Sequence, residues 1–198
     1  MNTAYHTDIA SRRGIPPQKE GTAYTIPAVT MPNGEHIMDS RPIATALEAL
    51  QPNPSLHLDD CHLEQVQASV NKFIGPMRST VIPKIAETLN PRAAEYFYRT
   101  REQAFGKPLS EVAQSKTEDE MWKEAEPGIQ ELKSILEKDG SGPFVLGKQV
   151  SYADFVIVST FVIVGKAEER LLETLLGKDE TFSALYKACE KWLERDDH

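Results

Sequence analysis

Apolar positions recur at helical spacing through most of the chain and alternate like strands only near its start. Leu63, Val66, Val70, Phe73, Ile74, Met77, Val81 and Ile85 trace one face of a long helix, with Pro76 and Pro83 predicting kinks or breaks. Asn90-Pro91 supplies a cap and a first-turn proline for a second helix running towards Phe105-Gly106. Thr117-x-x-Glu120 is a capping box ahead of Trp122, Ala125, Ile129, Leu132 and Leu136 on one face, and Pro127 predicts a bend or split there. After the turn-rich stretch 139–144, Ser151-x-x-Asp154 is a second capping box. It leads into Phe155–Val164, a run so apolar all round that it predicts a central, buried helix. Phe182, Leu185, Tyr186, Cys189, Trp192 and Leu193 form the stripe of a last helix.

The first fifty residues have another texture. Between Gly14 and Ser40 lie Pro16, Pro17, Gly21, Pro27, Pro32, Asn33 and Gly34, separating short β-prone pieces at 24–26, 28–30 and 36–38. Pro32-Asn33-Gly34 predicts a hairpin turn, since Asn and Gly tolerate positive φ. Asp39-Ser40 then opens a helix in which Ser40 is expected to cap, Pro42 sits in the first turn, and Ile43, Leu47 and Leu50 form the apolar stripe. The expected organisation is α/β plus all-α: a small mixed domain over 1–51, a Pro-rich linker over 52–57 and an all-helical domain over 58–198.

Composition narrows the function. The 198 residues carry 40% hydrophobic and 26% charged side chains and a net charge of −8, an ordinary globular balance. That charge repels a phosphate backbone and no basic stripe offsets it, so nucleic acid is not an expected partner. Residues 1–10 lack the pattern of a signal peptide, and the run from Phe155 to Val164 covers about half of the ~20 residues a membrane span needs, so no membrane partner is expected either. Cys61 and Cys189 form no Cys-x-x-Cys pair and are read as reduced thiols, which places the chain in the cytoplasm. His6, His36, His57, His62 and His198 show no metal-ligand spacing, and no metal is expected. The run Glu118-Asp119-Glu120 reads as a solvated helix start.

Three stretches carry a family resemblance. Thr25-Ile26-Pro27-Ala28-Val29, a hairpin and then Asp39-Ser40 resemble the second half of the thioredoxin-like domain of glutathione transferases, where a cis-proline precedes the third strand and an acidic-Ser pair follows the fourth. The run 142–154, Gly-Pro-Phe-Val-Leu-Gly-Lys-Gln-Val-Ser-Tyr-Ala-Asp, resembles the stretch that caps the buried helix of the C-terminal domain in that family. The run 99–109, Arg-Thr-Arg-Glu-Gln-Ala-Phe-Gly-Lys-Pro-Leu, is similar to fungal transferases of the lignin-etherase-like and ustiloxin-cluster type. The resemblance extends from about Tyr5 onward and implies glutathione as co-substrate. Ile26 and Pro27 would present a strand edge to the tripeptide, Asp39 would take its ammonium, and Ser40 with nearby N–H groups its γ-glutamyl carboxylate. Ser151 and Asp154 would be structural. The second substrate implied is a small hydrophobic electrophile lying over the helical domain, a cleft for a hydrophobic ligand is expected around Phe73, Met77 and Tyr98, and a homodimer is expected.

The departure lies at the front. Such transferases begin with a βαβ unit of roughly 30 residues, whereas Tyr5–Ala10 resembles the stretch after the second strand. The first strand and helix, and with them the Ser, Tyr or Cys that stabilises the glutathione thiolate, are therefore expected to be missing. Three explanations stand open: a gene or chain cut short, a degenerate relative, or completion by another chain. Tyr5 is a weak stand-in because its sequence context places it elsewhere. The expectation is glutathione conjugation to an electrophile, or glutathione-dependent ether cleavage, impaired in this chain alone, with a non-catalytic holder of hydrophobic ligands as the alternative.

Overall fold

A computed structural model describes residues 15–18 and 23–194. The expectations attached to residues 1–10, Gly14, Gly21 and His198 fall outside the described residues. Strands β1 (Ala28–Thr30) and β2 (His36–Met38) are followed by helices α1 (Ser40–Leu50), α2 (His62–Glu87), α3 (Pro91–Phe105), α4 (Leu109–Ala113), α5 (Glu118–Glu137), α6 (Tyr152–Ala167), α7 (Glu169–Leu176) and α8 (Glu180–Cys189), with a closing 3₁₀ turn at Glu190–Trp192. The chain divides into two compact units, one comprising Met1–Leu56 with Ala86–Leu109, the other His57–Ile85 with Ser110–His198. The segment 86–109, read from sequence as part of the helical domain, thus groups with the first unit. The two-stranded sheet plus helices fits a thioredoxin-like half-domain and an all-helical domain. No helix among the described residues is long and apolar enough to cross a membrane.

In the first unit, β1 and β2 pair antiparallel with Ala28 opposite Met38, Val29 opposite Ile37 and Thr30 opposite His36. The turn between them closes through the Met31 N–H to the Glu35 carbonyl at 2.8 Å and an Asn33 side chain that accepts from the Glu35 N–H at 2.9 Å. Gly34 takes φ 85°, which its missing Cβ allows. Residues 24–26 do not form the third strand that their β-prone composition suggests, because no described strand lies alongside to accept their hydrogen bonds. The apolar stripe of α1 is used only in part. Ile43 and Ala44 are buried, while Leu47 and Leu50 stay 48% and 60% exposed. Glu48 holds the chain after α1, accepting from Ser55 Oγ at 2.6 Å and from the Leu56 N–H at 2.8 Å. Asn90 caps α3 by accepting from the Ala93 N–H at 3.0 Å.

The second unit is built around α6, with the side chains expected from sequence inside. Ala153, Ile157, Val158, Phe161 and Val164 of α6 are buried against α2, α5, α7 and α8. The rings of Phe73, Phe161 and Phe182 stack edge-on in series, with centroid separations of 6.3 and 5.7 Å. Pro76 and Pro83 do not break α2, and Pro127 does not split α5. Of the kinks or breaks expected at these prolines, the breaks are overridden by the continuous buried faces of both helices. Beside Pro127, Gly128 lets α5 approach α2 at backbone distance. A Cβ there would stand 2.5 Å from the Phe73 nitrogen and 2.8 Å from the Ser69 carbonyl.

Both predicted capping boxes form. The Glu120 N–H donates to Thr117 Oγ1 at 3.3 Å, and the Thr117 N–H returns to Glu120 Oε2 at 2.9 Å. The second is deeper. Asp154 is fully buried, and its carboxylate accepts from the Val145 N–H at 2.8 Å, the Ser151 N–H at 2.7 Å and the Ser151 hydroxyl at 2.8 Å. Burial pushes this carboxyl above its ordinary value, against the pull of those three donors.

Two outcomes follow for stability. Gly128→Ala drives a methyl into the α2 backbone and lowers the urea-unfolding free energy by about 1–3 kcal/mol. Asp154→Ala strands three buried donors and costs roughly 3 kcal/mol or more in the same measurement.

Candidate functional site

The residues singled out from sequence at the start of the chain come together. The Asp39 N–H donates to the Pro27 carbonyl at 3.2 Å, extending the β1–β2 ladder by one step and setting the entry to α1 beside the Ile26–Pro27 peptide, which is cis. Ile26 is 42% exposed, and neither its N–H nor its carbonyl is engaged in a backbone hydrogen bond among the described residues. One residue earlier, the Thr25 hydroxyl is buried with no partner among the described residues.

Asp39 is the unusual residue. It stands at the N-cap of α1 with φ 72° and ψ 140°, a backbone region that suits glycine and strains a residue with a Cβ. Aspartate at that position ordinarily accepts from the second or third N–H of the helix, yet this side chain makes no cap bond. Its Oδ2 accepts instead from Gln18 Nε2 at 2.8 Å. Ser40, expected as the cap, is the first residue of the helix and is exposed. Pro42, the third residue of the helix, has no N–H for a cap to satisfy. A carboxylate acceptor and a helix N-terminus lie within one residue of each other, next to a free extended edge. These are the groups a zwitterionic peptide end needs.

The remaining sequence candidates are placed differently. Phe73 and Met77 are sealed in the core of the second unit with no exposed surface, and Phe73 packs on Phe161. Tyr98 lies on α3 in the first unit and is 37% exposed. A cavity of about 420 Å³ opens instead among Val162, Leu172, Tyr186, Trp192 and Leu193 of the second unit, with Lys166 and Glu169 at its wall. Its lining residues carry helical spacing, but their grouping depends on how α6, α7 and α8 cross, which periodicity does not encode.

Among the described residues, Asp60, Cys61 and His62 form a group of potential metal ligands within 4.8 Å of one another. Asp60 Oδ1 accepts from both the His62 N–H at 2.8 Å and Nδ1 at 2.6 Å, while Lys138 Nζ lies 3.2 Å from Nε2. Both ring nitrogens are thus engaged, as suits a helix-start clamp better than ligation. Hydrogen bonds and the imidazole hold the Asp60 carboxyl below its ordinary value despite desolvation, which acts the other way. Of the two thiols, Cys61 is exposed and Cys189 is buried. Burial, with the nearby Asp154 carboxylate, pushes the Cys189 thiol up to about 11, so it stays protonated.

Known proteins resemble this chain in sequence and in fold. Residues 65–192 match the family described as "Glutathione S-transferase, C-terminal domain". The chain is 34% identical over 200 residues to the glutathione S-transferase-like protein ustS of Aspergillus flavus, covering 91% of this chain and 72% of that one. Its fold is similar to that of glutathione transferase GSTFuA3 from Phanerochaete chrysosporium, with a TM-score of 0.83, 25% identity and coverage of 100% and 83%. It is also similar to CsGST63524 of Ceriporiopsis subvermispora, solved in complex with glutathione, with a TM-score of 0.81, 26% identity and coverage of 100% and 84%. The chain therefore belongs to the glutathione S-transferase family.

Proposed function

We propose that this protein binds glutathione on the face formed by Ile26, Pro27, Asp39 and Ser40. The observation that carries the reading is Asp39, held in a strained backbone conformation while making no bond to the helix it caps. A purely structural cap has no use for that cost. In the bound state the Ile26 N–H and carbonyl pair with the cysteinyl main chain of the tripeptide. The Asp39 carboxylate takes the γ-glutamyl ammonium. Ser40 and the first N–H groups of α1 take the γ-glutamyl carboxylate. The unpartnered Thr25 hydroxyl and the open Ile26 edge fit such a ligand.

The reaction proposed is transfer of the glutathione thiolate to a small hydrophobic electrophile. A carbon–sulfur bond forms as the leaving group departs with its electron pair, the thiol proton having passed to base; in the ether-cleaving version the leaving group is an alkoxide or phenoxide. We place this chemistry in the cytoplasm and in a homodimer, on the strength of the family. A second reading, a non-catalytic holder of hydrophobic ligands, is favoured by the aromatic-lined cavity at Tyr186 and Trp192.

Retention on immobilised glutathione tests the first reading. The full chain is expected to bind, Asp39→Ala to lose retention, and Ser40→Ala to weaken it. Asp39→Gly is expected to lose retention while raising the unfolding free energy by about 1 kcal/mol, because glycine relieves the positive φ. A folded full chain that is not retained overturns the reading. Uptake of an apolar dye unaffected by glutathione would then favour the ligand-holding role.

A further inference from the structure

Gly165 stands inside α6, where the helix gains nothing from a missing side chain. Alanine is the better helix former, and the backbone at this position is not in the left-handed region that demands glycine. A Cβ on Gly165 would meet the Leu172 side chain, 2.7 Å from Cδ2 and 3.4 Å from Cβ. The Cδ2 methyl is the far end of a flexible side chain, so the packing of α6 on α7 could yield to it. Both residues line the cavity of about 420 Å³ in the second unit, so the methyl and the displaced leucine would narrow it. Glycine here keeps the cavity open.

The rest of the lining shows what the space suits. Tyr186 and Trp192 present aromatic surface, and Val162, Leu172 and Leu193 complete the apolar part. Trp192 stays 41% exposed although its ring is braced. The Phe155 ring meets it edge-on at a centroid separation of 5.2 Å, and the Lys191 ammonium stands 4.1 Å from its ring centroid. An indole that is open yet already held loses little freedom when a flat ring covers it. Lys166 and Glu169 bring a donor and an acceptor side chain to the wall. A hydroxyl group both donates and accepts, so it can use both. Small-molecule pockets run from roughly 300 to 1,000 Å³, and this one lies near the lower end, the size for a bicyclic ligand.

We propose that this cavity binds a flat bicyclic aromatic molecule carrying a hydroxyl group. The proposal rests on the ligand-holding reading above but needs neither Asp39 nor glutathione. Every lining residue belongs to the second unit, whereas Ile26, Pro27, Asp39 and Ser40 belong to the first. The rings lie against Trp192 and Tyr186, and the hydroxyl sits at Lys166 and Glu169.

Titration calorimetry of the full chain with 2-naphthol and with naphthalene tests it, in wild type, Gly165→Ala, Trp192→Ala, Trp192→Phe and Ile163→Ala. Wild type is expected to bind 2-naphthol about tenfold more tightly than naphthalene. Gly165→Ala and Trp192→Ala are each expected to weaken 2-naphthol about tenfold, while Trp192→Phe, which keeps a ring, retains most of the affinity. Ile163 is 49% exposed on α6 but lies outside the lining, so Ile163→Ala is expected to bind as wild type does. Unfolding temperatures within a few degrees of wild type exclude collapse of the second unit as the cause. Binding of 2-naphthol that Gly165→Ala and Trp192→Ala leave unchanged overturns the proposal and leaves the ligand-holding reading intact. Equal affinity of wild type for naphthalene overturns the ligand class. No uptake of 2-naphthol by folded wild type also sinks the proposal, and uptake of an apolar dye then decides whether the ligand-holding reading survives it.

Discussion

A single buried carboxylate organises the second unit. Asp154 sits at the start of α6 with no exposure to water, and its two oxygens gather the Val145 N–H and both donors of Ser151. Burying an anion is costly unless its lone pairs are filled, so the position holds only if the loop before α6 delivers those donors together. The loop and the helix start are thereby locked to each other. Everything that packs on α6, from Phe73 to Phe182, depends on where that lock sets the helix. The same charge reaches Cys189 and helps keep its thiol protonated.

The first unit works on the opposite principle. Among the described residues its sheet has two short strands, α1 leaves Leu47 and Leu50 largely exposed, and its most distinctive residue, Asp39, is strained. Where Asp154 turns inward and binds every donor in reach, Asp39 turns away from the helix it precedes. Two aspartates at helix starts thus receive opposite treatment. One is closed by its own chain and reads as architecture. The other bonds Gln18 rather than its own helix, and on the proposed reading it serves a ligand.

How much of this the sequence made legible follows the range of the forces involved. Capping boxes are local, so Thr117–Glu120 and Ser151–Asp154 could be read directly, as could the Asn33-Gly34 hairpin. Helical periodicity picked out much of the buried face of α2 and α5 but missed Ala86, Met121 and Ile135, and the all-apolar run identified α6 as central. Of the kinks or breaks expected at Pro76, Pro83 and Pro127, the breaks do not occur, because a proline's local penalty is outweighed when both flanks of a helix are buried. The ligand cleft expected around Phe73 and Met77 falls in the core instead, since the sequence separates inside from outside but not core from pocket lining. Ser40 was expected to cap and Asp39 only to bind. The one-residue shift arises from the positive φ at Asp39, which no propensity favours in a non-glycine residue. Gln18 carried no signal at all. A lone glutamine 21 residues from its partner is visible only once the chain is folded.

The charges around Asp39 also suggest why the site should prefer an amino acid end to a simple anion. A bare helix N-terminus attracts any carboxylate, and an isolated aspartate any cation. Set within one residue of each other, the two fields partly cancel at long range, so neither a plain anion nor a plain cation gains much from approaching. A ligand carrying an ammonium and a carboxylate on the same carbon meets both fields at once, at the separation that a single residue step provides. On the proposed reading, selectivity for the γ-glutamyl head therefore comes from keeping the carboxylate and the helix end apart.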